Sequence, residues 1–344
     1  MTLRYKNIIY TVVLLLAVFL VWKYRKSNLI PLGYLTGKTM GPIEYHIKYF
    51  DDDTRYFQKE VDSLLKVFNQ SLSTYIPESE ISRFNRDSIF VFESAFFYPV
   101  LEDSRKIFEY TDGAFDPTIM PVVNAWGFGP QKEITVDSAY IDSLMTFVGM
   151  EKVLYNEKQV WKSDDRVQLD FSALAKGYGI DVVGRFLEEK GIENLFVEIG
   201  GEVYAKGKNL QKDKYWEVGI LDPRSDQLNQ FYYAYAKIKD RAMATSGNYF
   251  NYQEIDGVMY GHTLSPKTGH PIKHSLLSAT VFAPDCMTAD ALATACMVMG
   301  KEKSMDFFKK HAEFDALLVY TDSEGQLHHF TTDGVKEDIE IAEQ

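Results

Sequence analysis

Cysteine is nearly absent, with only Cys286 and Cys296 in 344 residues. That excludes the disulfide framework on which small secreted domains rely. The pair stands ten positions apart, at opposite ends of a short helix if one forms there, whereas a bridge needs Cα atoms within about 7 Å. Two free, buried thiols are expected. An excess of positive charge is missing too, because 37 Lys and Arg face 49 Asp and Glu, for a net charge of -12. Such a chain has no basic face for neutralising a phosphate backbone, so it is not a general nucleic-acid binder. Neither a P-loop nor a G-x-G-x-x-G run occurs, which removes the two familiar glycine cradles for phosphate. Internal repeats and low-complexity segments are absent as well.

Long apolar runs are absent but for one, I-I-Y-T-V-V-L-L-L-A-V-F-L-V-W at 8–22, with Arg4 and Lys6 before it and Lys23, Arg25 and Lys26 after it. Its length lies between a signal-peptide apolar region and the roughly 20 residues of a comfortable membrane span. No A-x-A-like cleavage site follows, and no cysteine is at hand for lipid attachment. Residues 1–29 are therefore expected to be an N-terminal membrane anchor or signal segment, with the uncleaved anchor favoured and Tyr and Trp near the interfaces. Residues 30–39, which include P-L-G-Y-L-T-G-K, are expected as a linker, and 40–344 as one catalytic domain. The composition, 46% hydrophobic and 14% aromatic, suffices for its core.

Within that domain, residues 45–50 (Y-H-I-K-Y-F) alternate as a strand does, and the aspartates at 51–53 end it. Residues 55–70 place Phe57, Val61, Leu64, Leu65 and Phe68 on one side of a helix. Turn chemistry around Pro77 follows, with Tyr75 either in the core or facing a ligand, and then a second helix over 93–111. The stretch G-A-F-D-P-T-I-M-P-V-V-N-A-W-G-F-G-P at 113–130 is an irregular loop by its prolines and glycines. In it Pro117 keeps Asp116 out of helical conformation and presents its carboxylate. Residues 167–170 read as a short strand feeding a helix that runs to 190, with Lys176 in its first turn. A lysine there opposes the helix dipole, which a nearby anion would offset.

Residues 194–204 read as one strand with Gly200 and Gly201 inside it, and 216–221, 230–239, 278–283 and 316–320 as further strands. A helix after 303 and a polar tail complete the chain. His262 stands at a strand end beside the turn at Pro266 and Gly269, a place suited to proton transfer or to a structural role. Strands outnumber helices and follow one another like hairpins. The fold class is accordingly α+β, mainly antiparallel sheet packed with helices in a single domain.

The stretch T-A-D-A-L-A-T-A at 288–295 organises the rest. If Thr288 caps a helix, Asp290 and Thr294 fall at i and i+4 on one face, and the alanines around them are too small to shield either. Hard oxygen ligands so placed suit Mg²⁺, which takes one or two carboxylates together with phosphate and water oxygens. The plainer reading is an Ala-rich core helix with a solvated aspartate.

Five separated motifs in one order decide between them: S-T-Y-I-P-E-S-E-I-S-R-F-N, G-A-F-D-P-T-I-M-P-V-V-N-A-W-G-F-G, D-F-S-A-L-A-K-G-Y, G-H-T-L-S-P-K-T-G-H-P and T-A-D-A-L-A-T-A. Together they make the chain resemble the ApbE family of FAD:protein FMN transferases from Met40 to about Gly300. The resemblance departs at Ser265, where many members carry aspartate, and at 171–173, where glycines are common. It implies Mg²⁺, or Mn²⁺ in its place, held by Asp290 and Thr294 with main-chain oxygens of Ala173 and Ala293. FAD, as substrate, would meet Met40, Tyr75, Ala114, Phe115, Asp116, Asp170, Lys176 and Leu264, and His262 or Asp290 would take a proton.

The implied reaction moves FMN from FAD to a threonine or serine hydroxyl of a partner protein and releases AMP. The implied partner carries an S-G-A-T-like acceptor in a subunit of a membrane electron-transfer complex, which the anchored domain would meet on the periplasmic or extracytoplasmic side. The rival readings are an FAD pyrophosphatase that yields FMN and AMP, and a membrane-tethered flavin-binding protein without turnover.

Overall fold

The computed structural model describes residues 3–27, 30–130, 137–225, 228–247, 252–255, 258–261 and 263–342. The chain begins with α1 (Leu3–Ser27), followed by the paired strands β1 (Leu32–Thr39) and β2 (Ile43–Phe50). Next come α2 (Gln58–Leu72), α3 (Glu80–Arg86), β3 (Ile89–Val91), α4 (Phe97–Tyr110), α5 (Met120–Ala125) and α6 (Ser138–Met145). The short strands β4 (Val153–Tyr155) and β5 (Gln159–Lys162) lead to α7 (Ala175–Glu189). Six strands follow: β6 (Leu195–Ile199), β7 (Glu202–Lys206), β8 (Trp216–Leu221), β9 (Tyr232–Ile238), β10 (Arg241–Gly247) and β11 (Tyr252–Ile255). The remainder is β12 (Val258–Gly261), β13 (Leu276–Ala283), α8 (Cys286–Met299), α9 (Lys301–Lys310), β14 (Asp315–Thr321), β15 (Leu327–Thr331) and β16 (Ile339–Ile341).

An eight-stranded sheet in the order β1-β2-β6-β7-β10-β13-β14-β15 is the frame. Among the described residues every pairing between its strands is antiparallel, as the α+β reading expected. Side chains alternate across it with the strand's period of two. Val197, Ala242, Ala244, Val281 and Leu318 join the core beneath α2, α7 and α8. Their neighbours Phe196, Met243, Phe282, Leu317 and Val319 join a second core under the small sheet β16-β9-β8.

Several expectations are corrected. The supposed linker at 30–39 contains β1, an edge strand of the main sheet, because Gly33 and Gly37 face Tyr49 and Tyr45 across the pair and leave room for their rings. The supposed strand over 194–204 is a hairpin. Its two glycines adopt φ +64° and +105° and turn β6 into β7, a conformation that costs glycine little. Residues 167–170 form only an isolated bridge, Gln168 to Ile119. The polar tail supplies β15 and β16, whose strands complete two sheets.

Both cysteines are free and buried, as expected. Among the described residues no helix is long and apolar enough to cross a membrane. In α1 the side chains are described at 5–7 and 9–20, and every one of them is exposed.

Candidate active site

The start of α8 is set by carboxylates rather than by Thr288. Asp285 is the N-cap and accepts from the Thr288 amide at 2.8 Å. Asp181, from α7, accepts from the amides of Cys286 and Met287 at 2.7 and 2.8 Å. Three amides that a helix start leaves unpaired are thereby satisfied. The earlier start leaves Asp290 and Thr294 within α8, still four residues apart.

The two helices touch closely where α7 begins. A Cβ added to Gly177 would lie 2.1 Å from the Cys286 carbonyl oxygen, so only glycine fits. Its amide, 3.1 Å from Asp290 Oδ2, donates to that carboxylate. In a regular helix this amide would serve the carbonyl four residues back, here Ala173. Asp290 takes it instead, and the Ala173 carbonyl is released from the first turn.

Lys176 ion-pairs with Glu202, the first residue of β7, and its Nζ lies 3.8 Å from Asp290 Oδ1. Burial alone would lower the lysine's pKa, but Asp290 and then Glu202 outweigh it and the net direction is up. Burial raises both carboxylates against the pull of Lys176. Glu202 Oε2 is buried without a hydrogen-bond partner among the described residues. Thr294 Oγ1 lies 3.2 Å from the hydroxyl of Ser246, near the end of β10.

Lys176, Asp290, Thr294 and Ser246 border a cavity of about 590 Å³, which Glu202 does not line. Of the residues expected from sequence, it gathers Tyr75, Ala114, Phe115, Asp116, Asp170, Ala173, Lys176, Leu264, Asp290 and Thr294 on its walls. Tyr75 is 68% exposed there, which settles that side chain as a wall rather than core. Asp116 Oδ1 accepts from the Thr118 amide and hydroxyl, and burial, only partly offset by those bonds, pushes its carboxyl up to about 6. Burial likewise raises Asp170, whose carboxylate accepts from the Ser172 amide and hydroxyl.

Two expected residues lie elsewhere and one is outside the described set. Met40 borders a separate cavity of about 440 Å³ with Thr39, Asn69 and Ile76. Ala293 is fully buried inside α8 and is not on the cavity wall. His262 lies outside the described residues. Sequence reasoning passed over Glu202, Ser246 and Gly177. The signal for Glu202 was its place directly after a glycine pair, which reads as a strand start only once that pair is taken as a hairpin turn.

Among the described residues no group of three or more His, Cys, Asp and Glu side chains is arranged to hold a metal. A cation at this site would have to use one carboxylate with hydroxyl and main-chain oxygens. That donor set is hard and weakly charged, which suits Mg²⁺ with a phosphate-bearing ligand. Asp290 Oδ1 and the Ala173 carbonyl are the atoms the local hydrogen bonding leaves for it.

Comparison with known proteins agrees with this geometry. Residues 40–318 match the model of the ApbE family. The chain is 37% identical over 303 residues to an FAD:protein FMN transferase of Haemophilus influenzae, covering 84% of this chain and 87% of that protein. An FAD:protein FMN transferase of Vibrio cholerae is 38% identical over 297 residues, covering 84% and 88%. Among solved structures, the flavin transferase ApbE from Vibrio cholerae superposes with a TM-score of 0.80 at 34% identity over 90% of this chain and 100% of that one. The apo flavinyl transferase ApbE of Pseudomonas stutzeri does so with a TM-score of 0.79 at 31% identity over 90% and 97%.

Proposed function

This chain belongs to the ApbE family, and from that membership and the cavity between α7 and α8 we infer that it is an FAD:protein FMN transferase. The observation that carries the reading is the gathering of Asp290, Thr294 and Lys176 on one wall of a cavity. An acidic group, a hydroxyl and a buried cation suit a diphosphate, whose charge must be neutralised before a nucleophile can approach.

The reaction we assign is an in-line displacement on FAD. The hydroxyl oxygen of a threonine or serine in the partner bonds to the FMN-side phosphorus, the bond from that phosphorus to the bridging oxygen breaks, and AMP leaves with the electron pair. The hydroxyl proton passes to His262 or Asp290, and FMN stays on the partner as a phosphoester. Lys176 shares the diphosphate charge, and Tyr75, Ala114, Phe115, Asp116, Asp170 and Leu264 form the walls that orient FAD. Met40 would reach FAD only along the neighbouring cavity. Asp290 and Thr294, with the main-chain oxygens of Ala173 and Ala293, would hold Mg²⁺ or Mn²⁺, which supplies charge neutralisation at the phosphates. Ala173 suits that role better than Ala293, whose carbonyl belongs to the helical ladder of α8.

The same reading makes the apolar run at 8–22 an anchor in the cytoplasmic membrane, with the folded domain on the periplasmic or extracytoplasmic side. Of the twelve exposed side chains over 9–20, only Tyr10 and Thr11 carry a polar atom, and an apolar surface of that extent calls for a cover. The partner is then a flavin-carrying subunit of a membrane electron-transfer complex.

The test incubates residues 30–344 with FAD, Mg²⁺ and an S-G-A-T acceptor domain and follows intact mass, with Asp290→Ala in parallel. The expected result is the gain of one FMN on the acceptor, at least ~100-fold slower in the variant. Free FMN and AMP beside an unmodified acceptor would replace transfer with pyrophosphatase activity. Bound, unreacted FAD would leave a flavin carrier.

A further inference from the structure

The main sheet has two ends, and the strand register assigns the site to one and the chain's entry to the other. At the entry end Leu32 pairs with Phe50, and Leu195 pairs with Lys206. Ile30 and Leu32 pack there against the core cluster that contains Phe50 and Trp216. At the opposite end the Gly200 amide donates to the Glu44 carbonyl. A Cβ built on Gly200 would lie 2.8 Å from Ile43 and 3.6 Å from Lys176 Cδ. Glu202 begins β7 at that end, and Ser246 comes near the close of β10. The cavity is therefore remote from the point where the chain joins the sheet.

Two lengths decide what this means at a membrane. Strand β2 takes seven steps from Ile43 to Phe50, about 23 Å at the usual rise. From the end of the apolar run at Trp22, α1 rises about 7.5 Å to Ser27, and the four residues between Ser27 and Leu32 span at most about 18 Å even when fully extended. Of those four, Ile30 is already committed to the domain, which leaves three free steps of about 11 Å and a total reach of about 18 Å above the apolar run. A tether shorter than the sheet is high does not let the domain turn over and bring its cavity end down to the lipid.

We propose that the anchored enzyme holds its catalytic cavity away from the bilayer, at the far end of the sheet, and so modifies hydroxyls carried clear of the lipid surface on an extramembrane domain. This rests on the anchor and FMN-transfer readings given above. It specifies a partner by height as well as by chemistry, because a hydroxyl within a few residues of the partner's own membrane segment would lie below the cavity.

The full-length protein in lipid vesicles tests it. The S-G-A-T segment is fixed to a single-span anchor through either a three-residue stalk or a 20-residue helical spacer, which rises about 30 Å. The expected result is at least tenfold faster flavinylation on the long spacer. Inserting 20 Gly/Ser residues after Ser27, which gives a coil of roughly 25 Å, should bring the two rates within about twofold.

Equal rates on both stalks with the native tether would overturn the proposal. Two controls separate that from failure of its premises. A soluble acceptor must be flavinylated by the same preparation, and the enzyme must stay with the vesicles through an alkaline wash. Loss of either would overturn the proposal together with the reading beneath it, whereas equal rates with both controls intact would overturn the proposal alone.

Discussion

Lys176 is visible in the sequence as a lysine in the wrong turn of a helix, which a nearby anion would offset. The protein supplies anions of its own, Glu202 in ion-pair contact and Asp290 at 3.8 Å. That pairing was hidden because Glu202 is 26 residues away and reaches the helix only through the hairpin at Gly200 and Gly201. Buried pairs of this kind cost desolvation, and their removal is asymmetric. Lys176→Met alone should destabilise the fold by about 3–5 kcal/mol, since it leaves two buried carboxylates without their cation, and Glu202→Leu by less, since Asp290 still faces Lys176. The double variant should be more stable than Lys176→Met, with a coupling energy of at least ~1 kcal/mol. Urea unfolding of all four proteins measures this, and additive losses would show that the two side chains act separately. FMN transfer should stay low in the double variant even where stability returns, because the cation on the cavity wall is gone.

At the scale of elements, the i, i+4 placement of Asp290 and Thr294 was legible because helical periodicity is local. The start of α8 was not, since Asp285 and Thr288 are both competent caps and the second carboxylate, Asp181, comes from another helix. Asp181 is buried, and that burial, reinforced by neighbouring Asp285, pushes its carboxyl up to about 7 against the lowering effect of the two amides it accepts from. A folded-state pKa above the ordinary 3.8 means that the folded protein binds the extra proton in between. Its contribution to stability is therefore full below about pH 4 and is lost as pH rises through 7.

Asp181→Asn removes this dependence. It adds a constant cost of about 1–3 kcal/mol, because the amide group cannot accept from both backbone donors. Between pH 4.5 and 8 the stability difference between wild type and variant should shift toward the variant by on the order of 2–4 kcal/mol. Denaturant midpoints across that range test it. A difference that stays flat would mean that the positive end of α8 holds Asp181 ionised throughout.

For the whole molecule, the class of fold was legible from strand alternation and hairpin spacing, whereas the boundary of the domain was not. Two glycines, a proline and two threonines make residues 30–39 read as a linker, because glycine weakens a strand considered alone. In the sheet those glycines are the complement of Tyr45 and Tyr49, since a Cβ on either would meet a tyrosine side chain at 2.4–2.6 Å. Leu35 between them is fully buried. A fragment beginning at Met40 would thus uncover two tyrosines and lose a core leucine, each burial contributing about 1.5–3 kcal/mol. The total approaches the 5–15 kcal/mol by which domains are stable at all. Residues 30–344 should unfold cooperatively, while residues 40–344 should melt at least ~10 °C lower or fail to stay soluble. Melting points within about two degrees would show that β1 is dispensable.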